Sequence, residues 1–301
     1  MKKYIPIIAI ILIFIIGVGI LAYPLVSSVI NNYSMRNVAE VEVKQAAEKP
    51  NSEIEALFKQ ADEYNSSLIN TVILTDPFDE EAYEKIGAHY KETFDVNGKG
   101  LIGYIEIPKI NVYLPIYHGV STEVLSRGAG HLDNTSFPVG GKSTHSVISA
   151  HSAYPTETFF DYLTDMQEGD EFYIHVLDRV LKYEVDQIKV VLPNDTSNLY
   201  VIHGEDLVTL LTCTPYSVNT HRLLVRGKRV PYDPNEGAPQ SQSISTDSNY
   251  IYLLGYRVSY LTAGIAIAVF ITFIIGTVLF ITLTRKRKKL NRIKKDGDGS
   301  G

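Results

Sequence analysis

The chain has 301 residues, a formal net charge of −6 and one cysteine, Cys213. A single cysteine excludes an intramolecular disulfide. Taking away the +2 of Lys2 and Lys3 and the +6 of the tail from Arg285 leaves −14 for residues 4–284, a poor partner for nucleic acid.

Lys2 and Lys3 precede an apolar run from Ile5 to Tyr23, and no charged residue follows until Arg36. Residues 1–3 read as a cytoplasmic head and 4–29 as a transmembrane anchor. A cleaved secretory signal is the rival reading, opposed by the length of the run and the lack of a small-residue cleavage site.

Residues 36–98 read as N-terminal helices, with apolar positions at helical spacing interrupted by Pro50. Within them Asp76, Pro77 and Phe78 have the form of a helix start, Asp as N-cap and Pro at the first helical position.

From 99 to 232 the texture changes to short β-rich runs separated by Gly, Pro, Asn and Asp. Strands are expected at 101–107, 110–116, 145–150, 171–176, 181–192, 207–214 and 222–230, with a helical insertion near 158–166. So many closely spaced strands predict a mainly β domain, closed or nearly closed as a barrel.

Residues 233–258 are polar and aperiodic, the texture of a linker. A second apolar run, Leu261 to Leu283, lies inside an expected transmembrane helix at 259–284; as a helix it would extend roughly 34 Å against a hydrocarbon core of roughly 30 Å. The basic tail 285–301 follows as a stop-transfer signal and suits anionic inner-leaflet lipid. Cations flank both runs on their terminal sides, so both termini are expected in the cytoplasm and residues between the spans outside the cell.

A lone thiol in an oxidising compartment is either buried filler or chemically employed. Cys213 ends the run Thr209 to Cys213, and a new strand begins at Arg222. If these strands form a hairpin, the sulfur and the guanidinium share its mouth. His151 ends another strand. Spacing alone leaves His221 as a rival to His151, and Arg226 as a rival to Arg222 on the same strand face. No repeat, phosphate loop or metal-ligand cluster is present in the sequence, so neither a metal nor another cofactor is expected.

The pattern TLLTC at Thr209–Cys213, with Thr209, Leu210 and Thr212 as its other defining positions, an arginine nine residues later and a histidine upstream, resembles the sortases. These are cysteine transpeptidases of Gram-positive surfaces. The stretches TPYSVNTHRLLVRGKR and FPVGGKSTHSVISAH resemble class C, the pilus-assembling branch. One departure is the SAYP that follows His151, where an RGLP-like turn is usual.

The resemblance implies a sortase barrel of about eight strands. It also implies that Cys213 attacks the Thr carbonyl of an LPxTG-like sorting signal, that His151 is general acid and then base, and that Arg222 stabilises the oxyanion. Asp76, Pro77 and Phe78 would form a lid, Asp76 pairing with Arg222 while the ring covers Cys213. The expected partners are pilin subunits bearing such signals, with a Lys amine as acceptor, and the enzyme is expected as a monomer. A wall-anchoring sortase using a peptidoglycan amine is the runner-up, and a membrane-tethered scaffold with an incidental thiol is the alternative outside enzymology.

Overall fold

A computed structural model describes residues 39–68, 76, 78, 88–154, 157–234, 250–253 and 256–259, with scattered positions between 14 and 35 and between 269 and 286. The expected spans at 4–29 and 259–284 lie mostly, and Pro77 wholly, outside the described residues. Among the described residues no helix is long and apolar enough to cross a membrane. The chain divides into two units, Met1–Ile244 and Ser245–Gly301.

In the first unit, residues 39–47 are helical and α1 spans Asn51–Ser67. Pro50, at φ −54° and ψ 139°, is the N-cap between them: its extended backbone ends one helix, and its carbonyl accepts the first hydrogen bonds of the next. The buried face of α1 carries Ile54, Phe58, Ala61 and Asn65, spaced by three or four residues so that they form one stripe. Asn65 is the polar exception on that stripe. Its Oδ1 accepts from Phe137 N at 2.7 Å and its Nδ2 donates to Phe137 O at 3.2 Å, so it completes a backbone pair the barrel leaves open. A second short helix, α2, spans Ala88–Glu92.

Eight strands close into a barrel: β1 Leu101–Ile107, β2 Val112–His118, β3 Ala129–His131, β4 Thr144–Ser149, β5 Glu171–Val176, β6 Arg179–Val191, β7 Asp206–Thr214 and β8 His221–Val230. Their order around the barrel is β1-β2-β3-β4-β7-β8-β6-β5. The pairs β2/β3 and β4/β7 are parallel and the rest antiparallel. Alternate residues fill the interior, Val208 and Leu210 from β7 and Leu223 and Val225 from β8 among them. The opposite faces of β4, β7 and β8 carry a smaller cluster of Val147, Leu211 and Leu224, with Val120, Leu125, Leu132 and Leu199.

Seven strands fall where the sequence pattern puts them, give or take two residues, and the eighth, β3, was not expected. Three residues are too few to show alternation. A side chain at Gly130 would also place its Cβ 2.2 Å from Gly119 O, so this strand needs a glycine at its centre. The expected helix near 158–166 is instead a single 3-10 turn, Leu163–Asp165. The Asp161 carboxylate draws the backbone around itself by accepting from Ala153 N and Phe159 N, a local alternative to helical bonding. A short helix α3, Thr122–Leu125, links β2 to β3.

The second unit contains a two-stranded antiparallel hairpin, β9 Tyr250–Leu253 with β10 Tyr256–Ser259. The stretch expected as linker to 258 therefore ends in paired backbone, where Tyr, Ile, Leu and Val replace the polar residues before it.

Candidate active site

Strand register brings the candidate residues to one end of the barrel. Cys213 faces Arg222 directly in the β7/β8 pair, and His221 faces Thr214. Arg222 is thus opposite the sulfur and His221 is one residue out of phase, with its Nδ1 2.9 Å from Thr220 Oγ1. Arg226 faces Thr209 lower on the same strand, and its guanidinium is bound in a fork to Asp186, at 3.0 and 2.7 Å. Arg226 is thus engaged with Asp186, and His221 stands one position out of phase with Cys213.

The parallel β4/β7 ladder runs in register from Thr144 opposite Asp206 to Ser149 opposite Leu211. It continues past the strand end through Ala150 N donating to Leu211 O, and Thr212 Oγ1 donating to Ala150 O at 2.8 Å. Extended at the same register beyond the strand end, the ladder would put His151 opposite Cys213. Ser152 Oγ then donates to Cys213 O at 2.8 Å, fastening the histidine turn to the cysteine backbone.

The remaining members of the TLLTC pattern have structural partners. Leu210 is wholly buried in the barrel. Thr209 Oγ1 is 2.7 Å from Nε2 of the buried His145, whose Nδ1 is 2.8 Å from Tyr200 O. A carbonyl can only accept, so Nδ1 donates to Tyr200 O, and when the ring is neutral Nε2 accepts from Thr209. Burial lowers the imidazole's pKa to about 4.

Asp76 and Phe78 also reach this end. Arg222 Nε donates to Asp76 Oδ1 at 3.0 Å and Nη2 to Oδ2 at 2.5 Å, while Nη1 donates to the carbonyls of Asn219 and His221, both at 3.1 Å. Arg222 is only 7% exposed, and these bonds satisfy it. Asp76 Oδ1 also accepts from Phe78 N, so one carboxylate sets both the arginine and the turn that carries the ring. The Phe78 ring packs on the outer apolar cluster. It stacks on His151 with centroids 6.4 Å apart and planes at 18°, and the Arg222 guanidinium carbon lies 5.2 Å from its centre. The ring expected over the sulfur is thus recorded against the histidine and arginine that flank it.

The Cys213 thiol is pushed up from its ordinary value, chiefly by burial. Arg222 pulls it down, and the Asp76 charge pushes it up. Burial and the Asp76 charge thus favour the thiol over the thiolate. Among the described residues no group of histidines, cysteines and carboxylates could hold a metal ion. The sequence pattern did not single out His145, and it marked Ser152 and Tyr154 only as part of the SAYP that departs from the usual turn, with no role assigned to either.

A family model described as a sortase domain matches residues 105–230, the barrel from β1 to the end of β8, with Cys213, His151 and Arg222 inside it. The chain belongs to the sortase family. Curated sortases similar to it include sortase D of Bacillus subtilis, 31% identical over 42% of this chain and 63% of the relative. Sortase A of Bacillus anthracis is 27% identical, over 44% of this chain and 61% of the relative. The matches therefore span less than two thirds of those relatives' length. Solved structures give fuller coverage. Sortase C-1 of Streptococcus pneumoniae is 44% identical, with a TM-score of 0.61 over 65% of this chain and all of the other. Sortase C1 of Streptococcus agalactiae is 46% identical, with a TM-score of 0.58 over 63% and 96%. Sortase C-1 of Actinomyces oris is 43% identical, with a TM-score of 0.54 over 60% and 99%. These neighbours are all sortases of the C type.

Proposed function

We propose that this sortase is a membrane-anchored cysteine transpeptidase that joins pilin subunits. It would cleave an LPxTG-like sorting signal on one subunit and transfer the new acyl end to a Lys amine of another. The observation that carries the reading is the register that sets Cys213 opposite Arg222 with His151 at the adjoining strand end.

The chemistry follows from these groups. The Cys213 thiol passes its proton to the His151 imidazole, and the thiolate so formed attacks the threonine carbonyl carbon of the signal, its electron pair displacing that of the C=O onto oxygen. Arg222 donates to the resulting oxyanion. As the C–N bond breaks, the imidazolium of His151 gives its proton to the departing glycine amine, leaving a thioester on Cys213. The Lys amine then attacks the thioester, His151 takes its proton, and the thiolate leaves as the isopeptide bond forms.

Asp76 competes with this sequence, because Arg222 Nε and Nη2 are both committed to it. Asp76, Pro77 and Phe78 would act as a lid that substrate displaces, freeing the guanidinium and exposing the face of His151 that Phe78 covers.

Preference for pilin draws on the C-type neighbours, one of which, from Streptococcus pneumoniae, is described in terms of pilin substrate specificity. The two apolar runs and the lysines and arginines beyond them support two membrane passes, with the barrel outside the cell and both termini in the cytoplasm. The test incubates the full chain in detergent with an LPxTG-ending peptide and two acceptors, a Lys-bearing pilin segment and a peptidoglycan-like amine. Isopeptide product with the pilin segment is expected. Product with the peptidoglycan-like amine alone would replace this reading with wall anchoring.

A further inference from the structure

The turn after His151 departs from the RGLP-like sequence usual in the family, and the departure puts an aromatic ring beside the imidazole. Tyr154 stacks on His151 with centroids 5.5 Å apart and planes at 15°. This is a closer pairing than Phe78 makes with the same imidazole. The two rings belong to different parts of the chain. Phe78 is held through Asp76, which must leave Arg222 before an oxyanion can be bound there. Tyr154 lies in the turn that follows β4.

The turn that carries Tyr154 is fixed at several points. Ala153 has a left-handed backbone, φ +63°, a conformation that costs a non-glycine residue about 1 kcal/mol. Its N–H donates to Asp161 Oδ1 at 2.9 Å, which holds it there. Phe160 N donates to His151 O at 3.0 Å, closing the segment from the other side. The Tyr154 ring also packs on the fully buried Phe159, centroids 5.4 Å apart. None of these contacts involves Asp76 or Phe78, so opening the lid leaves them in place.

We propose that Tyr154 is a positioning residue: its ring holds the His151 imidazole in its working orientation beside Cys213 once Phe78 has been displaced. The inference rests on the transpeptidase reading above and adds a residue to it. A general acid that must become a base for the second half-reaction needs one orientation throughout, and a planar neighbour restricts rotation of the imidazole about its side-chain bonds. Tyr154 does this by its ring face, so the hydroxyl is dispensable.

The experiment compares Tyr154→Leu and Tyr154→Phe in the full chain, alone and combined with Asp76→Ala. Transfer of an LPxTG-like peptide to a Lys-bearing acceptor is followed for kcat and KM, and Cys213 alkylation by iodoacetamide is followed against pH. Leu is expected to lower kcat about threefold to tenfold, the factor that one lost aromatic contact supports, with KM within about twofold. It is also expected to displace the alkylation pH profile, which a merely structural role would leave alone. Phe is expected to behave as wild type.

Wild-type kcat in the Leu variant, or an equal loss in the Phe variant, would overturn the proposal. An independent readout avoids dependence on Leu folding. In Phe78→Ala with selectively labelled histidine, the His151 ring protons should keep a ring-current displacement from Tyr154. Random-coil positions would overturn the proposal. Failure of the wild type to transfer peptide would count against the transpeptidase reading, while the alkylation and ring-current results would still judge Tyr154.

Discussion

Replacing Asp76 with alanine removes two charge-assisted hydrogen bonds to Arg222 and one negative charge near Cys213. The pair is well shielded, with side-chain exposures of 9% for Arg222 and 18% for Asp76. Hydrogen bonds to charged groups contribute about 1.5–3 kcal/mol each, against which stands the cost of desolvating both ions. Arg222 keeps its bonds to the Asn219 and His221 carbonyls, so loss of Asp76 does not orphan it. A net contribution of about 2 kcal/mol to the closed lid is reasonable, which corresponds to about a thirtyfold change in the open population.

The rate of Cys213 alkylation by iodoacetamide at pH 7 should rise by a similar factor in Asp76→Ala. Its pH midpoint should move down, because the Asp76 charge holds the thiol up. Asp76→Asn, which retains a hydrogen-bonding group without the charge, should fall between wild type and alanine. An alkylation rate within about twofold of wild type in Asp76→Ala would refute the lid reasoning and leave Asp76 only its turn-forming role.

Two of the buried histidines, His131 and His145, should make the fold acid-sensitive. Burial lowers the pKa of His131 to about 3 and of His145 to about 4, from 6.5. Each stays neutral when folded and takes a proton when unfolded, so its contribution is whole above 6.5 and is lost as pH falls towards the folded value. Chemical denaturation at pH 7 and pH 4.5 should show the loss, and His145→Gln should remove part of it. Asn65→Ala strands a buried N–H and C=O of Phe137 and should cost about 2–4 kcal/mol in denaturant unfolding. Ala153→Gly relieves the left-handed backbone beside the site; its thermal midpoint should equal or exceed that of wild type. Thr212→Val loses the bond to Ala150 O that holds β4 and β7 in register at the site. It should cost about 1 kcal/mol and lower peptide transfer.

Much of the barrel was legible because its strands alternate long enough to show a period, as Asp206–Thr214 and His221–Val230 do. The hairpin between them was legible for the same reason, and with it the pairing of Cys213 and Arg222. The pairing of β4 with β7 is different. These strands are parallel and more than 50 residues apart, so nothing local in the sequence announces that Ser149 meets Leu211. His151 was therefore tied to the site by family resemblance, and the ladder now supplies a physical reason. Asp161 explains why the helix expected near 158–166 is absent, since a side chain that captures nearby N–H groups leaves hydropathy unchanged. Tyr154 lay in a turn whose sequence departs from the family's, but its role was not legible: one aromatic residue in a turn acquires meaning only when a ring lies against it.

The account stands or falls on the sulfur of Cys213 carrying the acyl group. Mass spectrometry of the full chain, quenched in acid after brief exposure to an LPxTG-like peptide, measures this directly. An adduct of the mass cleaved at threonine is expected on the Cys213 peptide, discharged on adding a Lys-bearing acceptor and absent from Cys213→Ala. Transfer that proceeds undiminished in Cys213→Ala, or an acyl group found on another residue, would contradict it.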